Sequence, residues 1–186
     1  MSDVAEPGQG TFLLASNTRP QTYQPQYFVT KTFGHDLGLS AAFRQWRATS
    51  HCQFVHGYAL AIELTFVANS LDSRNWVIDF GDFSGVKEIL KGLFDHKLLV
   101  AKDDPELDYL IAGSLRGLFN LEVVPHVGCE CFAEMVYNKV DTWLKVYAKD
   151  AVAWKHLKGR TNNVSLDSVK VSEHGANSAT YRRQYV

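Results

Sequence analysis

The chain has 186 residues, 46% of them apolar, which is ample for one packed core and excludes disorder along its whole length. With 19 basic and 20 acidic residues its formal charge is −1, so no general field draws in nucleic acid or an anionic membrane. No apolar run approaches the roughly 20 residues that span a bilayer, and the start MSDVAEPGQG lacks the basic residues and apolar stretch of a signal peptide, which makes the cytoplasm the expected location.

Residues 1–25 are rich in Gly, Pro, Gln, Ser and Asn without apolar periodicity and read as a flexible arm, leaving 26–186 as a single folded domain. From Tyr58 to Phe66 the large residues Tyr58, Leu60, Ile62, Leu64 and Phe66 alternate with Ala59, Ala61, Glu63 and Thr65, the period of a half-buried strand. A polar turn over 69–75 follows, after which Trp76, Ile78 and Phe80 resume the alternation and predict an antiparallel hairpin partner. Asp82 or Ser84 is placed to cap a helix carrying Val86, Ile89, Leu90 and Leu93 at helical spacing, with Asp95 and His96 at its end. A second helix is predicted from Cys129 to Tyr147, where Phe132, Met135, Val136, Val140, Trp143 and Leu144 form one stripe. A last strand over 164–173 puts Val169, Val171 and Glu173 on one face, so a carboxylate ends an apolar row. Strands interrupted by two long helices predict an α+β fold with the helices on one side of a sheet.

Four places carry candidate chemistry. Cys52-Gln53-Phe54-Val55-His56 leads into the strongest strand, and an imidazole beside a thiol makes thiolate available; the same pair also suits a small buried thiol and a hydrogen-bonded loop histidine. Asp95 and His96 suit an acid-base pair, or a loop carboxylate and a helix C-terminal cation. Glu130 in a first helical turn offsets the helix dipole, and Glu173 on a strand fits solvent or a pocket. The three cysteines are an odd number, and Cys129 and Cys131 are too close for an ordinary disulfide, so all three read as thiols.

Taken in order, these segments resemble the 6-pyruvoyltetrahydropterin synthase and 6-carboxytetrahydropterin synthase family across roughly residues 37–181. The family's F-x-A-A-H strand is matched by Leu39-Ser40-Ala41-Ala42-Phe43, its C-x-x-x-H-G-H by residues 52–58, its V-x-D-F by 77–80, its L-D-H-x-x-L by 94–99, and its P-T-x-E-x-[LI]-A by 127–133. The strand Glu with a Tyr eight residues later is met by Glu173 and Tyr181. The resemblance implies a tunnelling fold, an antiparallel four-stranded sheet with two helices on one face, whose copies close into barrels, often hexamers, with sites between subunits. It implies dihydroneopterin triphosphate as substrate, a pterin edge held by Glu173 with Glu130 as a further substrate-binding position, and Cys52, Asp95 and His96 as the proton-moving set. The 6-carboxy branch, on the queuosine path, is the expected product side.

The family's three zinc-binding histidines align with Phe43, His56 and Tyr58, so one imidazole survives, and neither phenyl nor neutral phenol is a good zinc ligand. His35 and His51 are near enough in sequence to rebuild a zinc site with His56. The alternative is a zinc-less paralogue that binds pterin, or serves as an oligomeric scaffold, without catalysis.

Overall fold

In the computed structural model residues 24–147 and 164–184 are described, and the expected arm lies, over residues 1–23, outside them. The elements in chain order are β1 (Tyr27–Phe33), β2 (Leu39–Phe43), β3 (His56–Ala68), α1 (Ser84–Phe94), β4 (Lys97–Ala101), α2 (Leu107–Leu115), β5 (Leu121–Val124), α3 (Cys129–Tyr147), β6 (Ser165–Ser172) and β7 (Ser178–Arg182). Short 3-10 turns at His35–Leu37, His51–Gln53 and Phe80–Asp82 link them. None of the helices is long and apolar enough to cross a membrane, among the described residues.

β3 is the spine. Leu60, Ile62, Leu64 and Phe66 are all 0% exposed, as the alternation predicts, because one face of the strand is turned to the core. One edge of β3 carries two partners end to end, β2 along residues 56–60 and β1 along 62–68, while β6 pairs along the other edge. The order runs β5-β4-β2-β3-β6-β7, with β1 joined to β3, and β2-β4 and β4-β5 are parallel. Among the described residues the sheet is therefore seven-stranded and mixed, with three α-helices, which corrects the four-stranded antiparallel sheet with two helices. β1, β3, β6 and β7 do pair antiparallel in that sequence; the parallel extension through β4 and β5 is what the expectation lacked.

The expected hairpin partner at 76–80 is not a strand. The Asp72 carboxylate accepts the backbone N–H groups of Arg74 at 2.9 Å and Trp76 at 2.7 Å, and the Arg74 guanidinium donates to Asp72 and Asp79 at 3.3 and 3.0 Å. This side-chain scaffold turns the chain on itself. Val77 and Ile78 are consequently both buried, which an alternating strand cannot arrange.

α1 ends as expected, but the N-cap position expected at Asp82 or Ser84 falls on Phe83, which makes no side-chain cap bond. Phe83 instead packs edge-on against Phe66 with centroids 5.3 Å apart. Val86, Leu90 and Phe94 of α1 and Phe132, Val136, Val140 and Leu144 of α3 join the apolar face of β3 and β6 in one core. The two helices touch at Gly85, where an added Cβ would lie 2.7 Å from Trp143 Nε1. Tyr137 reaches across to donate its hydroxyl to the Leu166 carbonyl at 2.9 Å, tying α3 to β6.

Candidate functional site

A cavity of about 410 Å³ opens at one end of β3, between the loop after β2, the start of α3 and the β6-β7 hairpin. Its walls include Phe43, Cys52, His56, Cys129, Glu130 and Glu173, so four of the sequence-predicted site residues meet in one place.

The loop over 44–55 delivers Cys52. The Arg44 guanidinium holds Asp104 through two bonds of 2.9 and 2.6 Å, with only 1% of the Asp104 side chain exposed, which joins the exit of β2 to the exit of β4. Beside it Gln45 N–H donates to the Cys52 carbonyl at 2.9 Å, and the Ser50 hydroxyl accepts from Cys52 N–H at 3.4 Å. The Arg44 charge keeps Asp104 below its ordinary carboxylate pKa, chiefly through the side-chain hydrogen bond.

His56 opens β3 directly opposite Phe43 of β2. Its Nδ1 lies 2.7 Å from the Phe54 carbonyl, and since a carbonyl only accepts, Nδ1 carries the proton and Nε2 keeps its lone pair. Around it the rings stack tightly: Phe43 to His56 at 5.0 Å, His56 to Tyr58 at 5.6 Å, and Phe43 to Phe132 at 5.1 Å edge-on. The Tyr58 hydroxyl is pushed above its ordinary pKa by burial first, then by the Glu173 carboxylate and the thiols of Cys52 and Cys129, so it stays a donor.

Glu130 sits in the first turn of α3, reached through Gly128 at φ 119, where the residue's carbonyl accepts from Phe132 N–H at 3.0 Å. That backbone angle suits glycine, which stands here where the resembled motif has threonine. Glu173 stands just past the end of β6, half-buried, with its N–H bonded to the Asn177 carbonyl at 3.1 Å. In the sequence Cys129 reads as a plain core or surface thiol. It lines the cavity, and burial together with the carboxylates of Glu173 and Glu130 and a hydrogen bond to Glu173 pushes its thiol up to about 12. Cys129 therefore stays an S–H group beside Glu173 at neutral pH. The signal is present in V-G-C-E, but its meaning depends on the arrival of the β6-β7 hairpin. All three cysteines are free.

Asp95 and His96 stand elsewhere. His96 lines a different hollow of about 580 Å³ with Ala42, Gly57, Ala59 and Lys97, and its side chain is 84% exposed. Its Nδ1 donates to Asp95 at 2.7 Å, which leaves Nε2 outward, and its backbone is left-handed at φ 55. Within one chain the Cys52 cavity and the Asp95–His96 pair are thus separate.

Nor do His35, His51 and His56 converge. His35 gives its Nδ1 proton to the Ala59 carbonyl, His51 is exposed in its 3-10 turn, and among the described residues no three His, Cys, Asp or Glu side chains are placed to hold a metal ion. At the aligned ligand positions one imidazole faces a phenyl and a phenol, a donor set that does not fit zinc.

The family model described as 6-pyruvoyl tetrahydropterin synthase matches residues 34–184. Among curated proteins, the 6-carboxy-5,6,7,8-tetrahydropterin synthase of Rickettsia typhi is 40% identical over 57 residues, 30% of this chain and 41% of the relative. The protein of the same description from Rickettsia conorii is 39% identical over 72 residues, 38% and 52% of the two chains. The matched stretch thus spans about half the length of these relatives. Among solved structures, an uncharacterized protein from Wolinella succinogenes superposes with a TM-score of 0.66 at 16% identity, covering 86% of this chain and 99% of the other. The 6-pyruvoyl tetrahydropterin synthase of Plasmodium falciparum gives 0.55 at 13% identity, with the same coverage of 86% and 99%, a likeness of fold.

Proposed function

The chain belongs to the 6-pyruvoyl tetrahydropterin synthase family, and from that premise we propose that it binds a pterin in the cavity between Cys52 and Glu173 and acts on its side chain in the manner of a 6-carboxytetrahydropterin synthase, with dihydroneopterin triphosphate as substrate. The observation that carries this reading is the meeting of Cys52, His56, Glu130 and Glu173 around one cavity of about 410 Å³. A carboxylate suits the guanidine-like edge of a pterin, whose paired N–H donors match its two oxygens, and Glu173 is the carboxylate set deeper in the walls. The Cys129 thiol beside it supplies a donor that fixes one oxygen and leaves the other for the ligand. Glu130, on the rim, is the second anchoring position.

Cys52 then faces the ligand's side chain as the group that takes and returns a proton, with His96, oriented by Asp95, as its acid-base partner. Because those two groups lie on separate hollows in one chain, the partner must come from a second copy, which makes the active unit an oligomer. A second reading, a pterin-binding paralogue without turnover, is favoured by Phe43 and Tyr58 at the ligand positions.

Incubating the full chain with dihydroneopterin triphosphate and following product by chromatography separates the two. Turnover that disappears in Cys52→Ala supports the enzyme. Pterin binding without product, lost about 100-fold in Glu173→Gln through removal of a charged acceptor, supports the paralogue. Equal affinity of wild type and Glu173→Gln rejects the assignment of the pocket.

A further inference from the structure

The corner of the cavity where three imidazoles would meet is built differently in this chain. Phe43 is 3% exposed and rooted in the core through Phe132, which in turn meets Phe94 at 5.6 Å. Its ring stands against His56 at 5.0 Å and Tyr58 at 6.2 Å, and His174 from the β6-β7 turn closes on Tyr58 at 5.9 Å. Each replacement is apolar or a neutral donor, and Phe43 fills volume as well as lacking a lone pair. His174 is not a substitute ligand. Its Nδ1 accepts from Ala176 N–H at 3.2 Å, and its Nε2 lies 3.2 Å from the Asn177 amide, so both nitrogens are engaged. His56 uses Nδ1 on Phe54, leaving its Nε2 as the one imidazole nitrogen of the cluster outside these bonds.

Resting on the pterin reading above, we infer that this centre works without a metal: Phe43, packed against His56 and Tyr58, closes the corner, and His56, which lines the cavity with Phe43, hydrogen-bonds the ligand's hydroxylated side chain directly through Nε2. The neutral imidazole accepts from a side-chain hydroxyl and so orients it with no Lewis acid present, while Tyr58 backs the imidazole edge-on.

The test uses the full chain, supplied with zinc and then dialysed, and counts zinc per chain by elemental analysis while neopterin affinity is measured with and without a chelator. The inference expects zinc well below one per chain, neopterin affinity unmoved by the chelator, and no tetrahedral absorption bands on titration with cobalt(II). It also expects Phe43→His/Tyr58→His, which restores three imidazoles, to gain one zinc per chain. Since Phe43 is a core residue, Tyr58→His alone, His56→Ala and the wild type decide between the outcomes if the double variant does not fold. One zinc per wild-type chain that is lost in His56→Ala, or neopterin binding abolished by chelator, overturns the inference while leaving the pterin reading intact. Zinc-poor protein that binds no neopterin under any condition does the reverse, rejecting the pterin reading.

Discussion

His96 shows how a single position can be held against its own backbone preference. It follows the C-cap Asp95 of α1, a place where glycine is usual, yet an imidazole occupies it at φ 55. A non-glycine residue in the left-handed region costs about 1 kcal/mol, and the return is an Nε2 aimed outward from a ring pinned by Asp95. Replacing His96 by Gly is expected to raise stability by up to about 1 kcal/mol in denaturant melts while removing product formation. A variant that is less stable and equally active would show that the imidazole is kept for structure. Legibility in the sequence differs by residue. That Cys52, His56, Glu130 and Glu173 share one cavity was legible because their order along the chain follows a family pattern. Cys129 was not, since its role arises only where the hairpin brings Glu173 to the start of α3.

Among the elements, β3 and α3 were legible because each carries one uninterrupted period, two for the strand and near 3.6 for the helix. β4 was missed for a physical reason. Leu98, Leu99, Val100 and Ala101 are all buried, as expected of a strand flanked by parallel neighbours, so there is no alternation to read. The 76–80 segment failed in the opposite way: its alternation is real, but Asp72 captures the backbone first. The loop that presents Cys52 depends on Arg44 and Asp104, and this predicts a pH response. Asp104 has a folded pKa below its ordinary value of 3.8, so its contribution is fully present above that pH and is lost as the pH falls through the lower folded value. Asp104→Asn is expected to cost about 3 kcal/mol at neutral pH, to flatten the acid limb of the stability curve, and to loosen the Cys52 loop. Urea melts between neutral and strongly acidic pH check both. An unchanged acid limb would assign the acid sensitivity to other carboxylates.

At the scale of the molecule, β5 and β7 end the strand order and β1 pairs only with β3, so outer edges stand unpaired among the described residues. Unpaired edges invite another chain, and closed symmetric assembly is the common way of covering them. The proposed division of Cys52 and His96 between two copies requires the same assembly. Light scattering at micromolar concentration is expected to show a closed oligomer, with a monomer mass rejecting the shared site. Mixing Cys52→Ala with His96→Ala subunits should then restore part of the activity that each lacks. The double partnership of β3 also bears on synthesis. One edge is filled early, by β1 and β2, but the other waits for β6, which sets Ala61 against Ser172. While the ribosome is still making the intervening helices, the row Leu60, Ile62, Leu64 and Phe66 has a neighbour on one side only. The nascent chain therefore carries an unpaired edge of β3 until residues 165–172 have been made, and an edge of that kind invites association with other chains.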